Sequence, residues 1–430
     1  MDSLWTFLQF KDATLQLVTA GTVLIAMGAS VVGCFAFLRK RALVGDAVAH
    51  AILPGIAVAF MLTAAKNPLI LLSGALVSGW LALYCIEIIQ KTSKLSADTA
   101  IAAVLGVFFG IGILLLTHIQ HSDLENQSGL DRFLFGSAAS MSTADLLTYA
   151  GVALFLLLAI AGLYKELKLF SFNPEYAQVL GLPVKTIRRL INSLTVMAIA
   201  IGIQSVGVVL MAALLITPAA AARAWTDRLL VMIFLAAGFA AFSALVGSYV
   251  SFSATAMPTG PWIVMSLSFL ALISLFIAPQ RGLLARLNRQ RLNRIKILTE
   301  NMLKAFYNLG ERAGTYQKWL TAEDLARVRD FTHAELTQGL RILRKKHLVI
   351  PKQSGYRLSR QGLDEARRVV RLHRLWEMYL TQRMRMKSDH IHPNAETIEH
   401  IITPEIEEQL LRELDFPEKD PHSSPIPYPQ

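Results

Sequence analysis

The feature that most constrains this chain is a succession of apolar stretches, each long enough to cross ~30 Å of hydrocarbon. They fall at residues 15–38, 44–64, 68–90, 97–117, 146–163, 190–220, 229–250 and 261–277. A backbone in lipid must satisfy its own hydrogen bonds, so stretches of this length read as helices. Only 17% of the 430 residues are charged, against about 25% in soluble domains. The charge is also uneven: the first 280 residues hold 15 of the 42 Lys and Arg, and 12 of the 31 Asp and Glu. Two bodies follow, an apolar one and then a basic polar one. Cys34 and Cys85 lie inside apolar runs, which excludes a secreted disulfide scaffold. The opening MDSLWTFLQFKD has no basic n-region, so no cleaved signal peptide is expected.

Loop charge orients the apolar body. Arg39, Lys40 and Arg41 form the strongest short basic cluster, followed by Lys91 and Lys94, and by Lys165 to Arg189. With these in the cytoplasm, the N-terminus and residues 118–144 lie outside. The basic tail belongs inside as well, yet a single pass over 190–220 would leave it outside. That stretch must therefore cross and return, breaking near Gln204-Ser205-Val206-Gly207, which gives nine crossings or half-crossings.

Ionisable residues inside spans mark function. Asp46 and His50, in GDAVAHAILPG, stand i,i+4 on one helical face. A carboxylate and an imidazole suit a borderline divalent cation such as Mn²⁺, Zn²⁺ or Fe²⁺, although the two could instead only hydrogen-bond each other. Two ligands make half a site, and a symmetric dimer would supply four. Glu87 reads as a span-end carboxylate, and His118 and His121 as external loop histidines.

GDAVAHAILPG, then SFNPEYAQVLGLP, then LLITPAAAA resemble the permease subunits of bacterial ABC importers for manganese, zinc and iron, over about residues 10–280. The resemblance implies that Asp46 and His50 contact the metal on its translocation path. It implies that residues 175–181, with Glu175, Ala177, Leu180 and Gly181, form the helix that seats on a cytoplasmic ATPase subunit. An extracytoplasmic metal-binding protein, a second permease subunit and a bacterial inner-membrane location are implied too. No GxxxxGK[ST] phosphate loop occurs, so this chain is not expected to bind or hydrolyse ATP.

Residues 281–296 carry six basic residues and no acid, and read as a juxtamembrane helix on anionic lipid and a linker at once. From Glu300 the pattern becomes short amphipathic helices near 302–309, 321–327 and from Thr332. A hairpin follows around Ser354-Gly355. Helix, turn, helix and wing is a DNA-reading arrangement, with His333, Gln338, Arg341, Arg344 and Lys345 as candidate contacts. A winged helix used for protein contact is the alternative.

Farther on, His392, Glu396, Glu399 and His400 recur at i, i+4, i+7 and i+8, and His373 and Glu377 repeat the i,i+4 spacing. Imidazole and carboxylate at these spacings are metal-ligand chemistry. The combination HRLWE, ETIEH and DPHSSPIP resembles the metal-sensing and dimerisation domain of the diphtheria toxin repressor and manganese regulator family. The resemblance assigns His373, Glu377 and His392 to an ancillary metal site, and Glu396, Glu399 and His400 to part of a primary one. It also places two primary ligands where this chain has Asn301 and Lys304, and protonated lysine is no ligand.

The expected fold is mainly α: a polytopic helical membrane bundle of about 8–9 spans (1–280), a basic linker (281–299), a cytoplasmic winged helix-turn-helix domain (300–362) and a helical metal-binding and dimerisation domain (363–430). The expected function is a divalent-metal ABC permease subunit with a repressor-like tail. A membrane-anchored, metal-responsive DNA-binding regulator is the rival, and a vitamin B12 or siderophore permease a third reading.

Overall fold

The computed structural model describes residues 5, 7, 9–39, 42–64, 67–121, 136, 138–254, 257–353, 355–384 and 402–428, the side chains of Ala42, Gln204 and Val209 aside. Its contacts divide the chain into two compact units, Met1–Arg286 and Leu287–Gln430.

The first unit is all helix among its described residues: α1 (Ala13–Leu38), α2 (Ala42–Ala51), α3 (Leu53–Thr63), α4 (Pro68–Thr92), α5 (Ala97–Gln120), α6 (Thr143–Gly162), α7 (Tyr164–Phe172), α8 (Pro174–Val179), α9 (Val184–Val206), α10 (Val208–Trp225), α11 (Leu229–Ser253) and α12 (Thr259–Ile277). Polar caps start several of them, because the first amides of a helix lack partners. The carboxylate of Asp12 accepts from the amides of Thr14 and Leu15 ahead of α1. Asn67 caps α4, followed by Pro68, and Ser142 with Asp145 forms a capping box on α6. Ile25, Val48, Ile52, Phe60, Ile199, Ile203 and Met211 fill the centre. The outer faces stay apolar: Val107 and Leu114 of α5 and Leu147 and Leu158 of α6 are all more than half exposed. That outward greasiness fits lipid, not water.

Eight of the described helices are long and apolar enough to cross a membrane, and the shorter apolar helix Leu210–Trp225 adds a ninth pass. The single stretch over 190–220 is thus two legs meeting at Gly207, where φ is +93° and ψ is 156°. Few residues other than glycine hold that conformation. α9 follows directly on α8, on the cytoplasmic side by loop charge. The end of α10 lies beside residues that follow α12, since Arg223 and Arg281 both reach Asp227 Oδ1, at 2.9 and 2.7 Å. The end of α10 and the start of the basic tail are therefore on one side, which loop charge makes cytoplasmic. The stretch at 44–64 is one span with its helix interrupted at Ile52. Pro54, just inside α3, has no N–H to give the carbonyl four residues back and interrupts the ladder after α2. Past that interruption, α3 and α4 approach so closely that a Cβ on Gly55 would lie 2.0 Å from the Gly74 carbonyl.

The second unit comprises most of α13 (Leu283–Arg312), then α14 (Ala322–Val328), α15 (His333–Lys345), β1 (Val349–Lys352), β2 (Gly355–Leu358), α16 (Arg360–Gln382) and α17 (Pro404–Glu413). The short helix expected over 302–309 is instead the last part of α13, which runs unbroken through the basic segment. No Gly or Pro interrupts residues 283–309, so nothing stops it there. The strands pair antiparallel, Val349 opposite Leu358 and Lys352 opposite Gly355. Met302 and Phe306 of α13 pack with Leu325, Leu336, Leu340, Leu343, Val349, Leu358 and Val370 in one core.

Candidate functional sites

Asp46 and His50 sit on α2 one turn apart, with Asp46 Oδ1 3.6 Å from His50 Nε2. That separation is ion-pair reach for a protonated imidazole but too long for a hydrogen bond. The reading in which the two merely bond each other is not what the geometry holds. The His50 ring stands edge-on to Phe109 at 4.9 Å, and its buried Nδ1 has no hydrogen-bond partner among the described residues. The Asp46 side chain is 43% exposed. Leu43, three residues earlier on the same face, is exposed as well. Asp46 lies in the first turn of the apolar span Leu43–Thr63, where a carboxylate turned to lipid would be costly. One carboxylate and one imidazole stand together on this face.

The histidines at the other end of the bundle are ordinary. His121 ends α5 with its Nδ1 2.8 Å from the Thr117 carbonyl oxygen. Glu87 accepts from Lys91 Nζ at 2.7 Å near the end of α4.

Residues 175–181 form a small exposed knob. The Asn173 side chain accepts from the Tyr176 amide at 2.9 Å, and Pro174 opens α8. Gly181 at φ +79° turns the chain back, and the Leu182 amide closes on the Ala177 carbonyl. Ala177 is fully buried and anchors the knob, while Tyr176, Val179 and Leu180 point outward, Val179 at 81% exposure. The knob thus displays three apolar side chains outward.

In the second unit, α14 and α15 each begin with a capping box, Thr321 with Asp324 and Thr332 with Glu335. The amide and hydroxyl of Thr332 hold the Glu335 carboxyl below its ordinary range, and those of Thr321 do the same for Asp324. α15 turns Leu336, Leu340 and Leu343 inward. His333, Gln338, Arg341, Arg344 and Lys345 all lie on the exposed side. The five candidate contacts thus share one accessible helix surface.

His373 and Glu377 are brought together, Nε2 to Oε1 at 3.2 Å, and both are almost fully buried. His392, Glu396, Glu399 and His400 lie outside the described residues. Among the described residues no three His, Cys, Asp or Glu gather as a metal site. Asn301 and Lys304 of α13 are buried, and Asn301 Oδ1 has no hydrogen-bond partner among the described residues. A protonated lysine has no lone pair to give a divalent cation, whereas the Asn301 carbonyl oxygen is a neutral donor.

No spacing or motif in the chain signals the clamp beside that pair. Arg371 donates to Glu407 Oε1 from Nε at 2.9 Å and from Nη2 at 2.7 Å, and from Nη1 to the Pro427 carbonyl at 3.0 Å. Arg374 donates to Glu311 from Nη2 at 2.7 Å and to the Pro425 carbonyl. The DPHSSPIP segment is thereby fastened to α16. In sequence, Arg371 and Arg374 look like two more surface cations.

Comparison with known proteins agrees with both units. The family model "ABC 3 transport family" matches residues 11–278. "Iron dependent repressor, metal binding and dimerisation domain" matches residues 359–428. The manganese transport system membrane protein MntC of Bacillus subtilis is 38% identical over 386 residues, 90% of this chain and 88% of that protein. The zinc transport system membrane protein TroC of Treponema pallidum is 43% identical over 291 residues, 68% of this chain and 97% of that protein. PsaBC of Streptococcus pneumoniae, solved in complex with a Fab, superposes with a TM-score of 0.59 at 33% identity, covering 65% of this chain and 97% of that one. With nine apolar passes and a family match over more than half its length, this chain is a multi-pass membrane protein of the ABC 3 transport family.

Proposed function

We propose that the chain is the permease subunit of an importer for divalent metal cations, with Mn²⁺ the first candidate cargo and Zn²⁺ and Fe²⁺ the alternatives. The observation that carries this reading is the Asp46–His50 pair: two metal-type ligands in an apolar span, not hydrogen-bonded to each other, on a face where a carboxylate turned to lipid would be costly. A second permease copy supplies a polar partner, so that two such pairs converge on the cation as it passes. A charged cation is taken from water only if ligands replace its hydration shell. The names borne by the relatives from Bacillus and Treponema support manganese and zinc.

Energy comes from a separate cytoplasmic ATPase, which docks on Tyr176, Val179 and Leu180 around α8, and an external metal-binding protein delivers the cargo. The chain supplies no covalent chemistry; its work is alternating access across the Asp46–His50 pair. No observation favours a bulky chelate such as vitamin B12 or a siderophore. A DNA-reading role for the tail has one observation in its favour, the exposed basic surface of α15, and it is compatible with transport.

The test is uptake of radioactive Mn²⁺ in cells or proteoliposomes carrying Asp46→Ala. Uptake is expected to fall to background while the variant still co-purifies with its ATPase. Normal uptake would remove the pair from the path.

A further inference from the structure

α13 and α16 are bridged by side chains that stand on two stripes. Lys304, Tyr307 and Glu311 recur at i, i+3 and i+7 on α13, and Val370, Arg374 and Glu377 at i, i+4 and i+7 on α16. Glu311 is ion-paired with Arg374, the Tyr307 ring lies 5.9 Å from the Arg374 guanidinium, and Val370 shares a core with Phe306. Lys304 therefore lies on the helix face that meets the element carrying His373 and Glu377. It is only 7% exposed, and Glu377 only 2%. An ammonium stays in such an interior only against negative charge, and the same negative charge is what a divalent cation would use.

We infer that Lys304 is a resident cation: the cytoplasmic unit, built like a metal-responsive domain, carries its positive charge covalently between α13 and α16 and is held in one state whatever the metal level. A protonated lysine donates no lone pair and repels an arriving cation, while Asn301 one turn away adds no charge. The unit then cannot throttle transport by sensing manganese at this place; it is a fixed module attached to the permease. This inference does not depend on the transport assignment, since it concerns another part of the chain and another readout.

Hydrogen exchange in the intact detergent-solubilised chain tests it, read in peptides from α13 and α16 with EDTA and with saturating Mn²⁺. Wild-type protection is expected to be the same in both. Lys304→Met leaves buried negative charge uncompensated and is expected to speed exchange there by about 100-fold, while Lys304→Arg keeps the charge and most of the protection. Lys304→Glu exchanges the resident cation for a ligand, and its protection is expected to return only with Mn²⁺. Tenfold or greater Mn²⁺-dependent protection of the wild type would overturn the inference. So would a Lys304→Met chain as protected as the wild type, or a Lys304→Glu chain indifferent to Mn²⁺. The wild-type comparison stands even if a variant does not fold.

Discussion

Replacing Arg371 by Met tests the energetics of the clamp on α16. Arg371 and Glu407 have side chains only 10% exposed, joined by two hydrogen bonds to one carboxylate oxygen. Removing one partner of such a pair leaves a buried charge and costs roughly 3–5 kcal/mol. Arg368 stays 3.4 Å from Glu407 Oε2, but its side chain is 40% exposed, so it screens the stranded carboxylate only in part. The lost bond to the Pro427 carbonyl adds about 1 kcal/mol. The net expectation for Arg371→Met is therefore about 2–4 kcal/mol. Glu407→Met alone strands the arginine and costs a similar amount. The double variant leaves neither charge behind and should lie within about 1 kcal/mol of the wild type. Amide exchange in α17, measured in the intact chain, reads these differences as protection factors, and the double-mutant cycle isolates the pair. If the single variants cost under about 1 kcal/mol each and the double simply adds them, the pair is not a buried charge couple and the reasoning fails.

Other substitutions test other parts. Gly207→Ala forces a side chain into the φ +93° apex at a cost of about 1–3 kcal/mol, seen as earlier thermal unfolding in detergent and reduced uptake. Thr332→Ala removes the cap of α15 and costs about 1 kcal/mol, read as faster exchange in that helix. Because Thr332 lowers the Glu335 carboxyl, the cap's contribution is present above the ordinary carboxylate pKa and is lost as pH falls through the lowered one. Acid below the ordinary carboxylate range should therefore loosen α15 in the wild type more than in Thr332→Ala. Val179→Asp alters an exposed position, so it should leave stability within about 0.5 kcal/mol while abolishing co-purification of the ATPase.

Much of the membrane unit is legible in the sequence because lipid leaves the backbone few choices. Apolar length and loop charge alone require a turn near residue 207, since otherwise the basic tail ends on the wrong side. The i,i+4 spacing of Asp46 and His50 gives adjacency but neither their 3.6 Å separation nor which face is open, because those depend on Phe109 and on Pro54 ending α2. The break expected near Glu300 followed a change in composition, which does not stop a helix when no Gly or Pro is present. Arg371 and Arg374 were illegible for a different reason. Charge is written in the sequence, but burial is decided by segments 36 to 63 residues away.

The Gly207 apex bears on how the protein enters the membrane. Two legs joined by one residue leave no loop to be threaded across by itself, so α9 and α10 must pass into the bilayer as a pair. Their orientation is set by cations at both feet, Lys185, Arg188 and Arg189 in the first turns of one leg and Arg223 and Arg228 at the end of the other. Neither leg can invert alone. A lysine placed at the tip would have to be carried through the hydrocarbon with both, where a charged side chain is costly. The bend that gives the bundle its odd number of passes thus makes its insertion an all-or-nothing step.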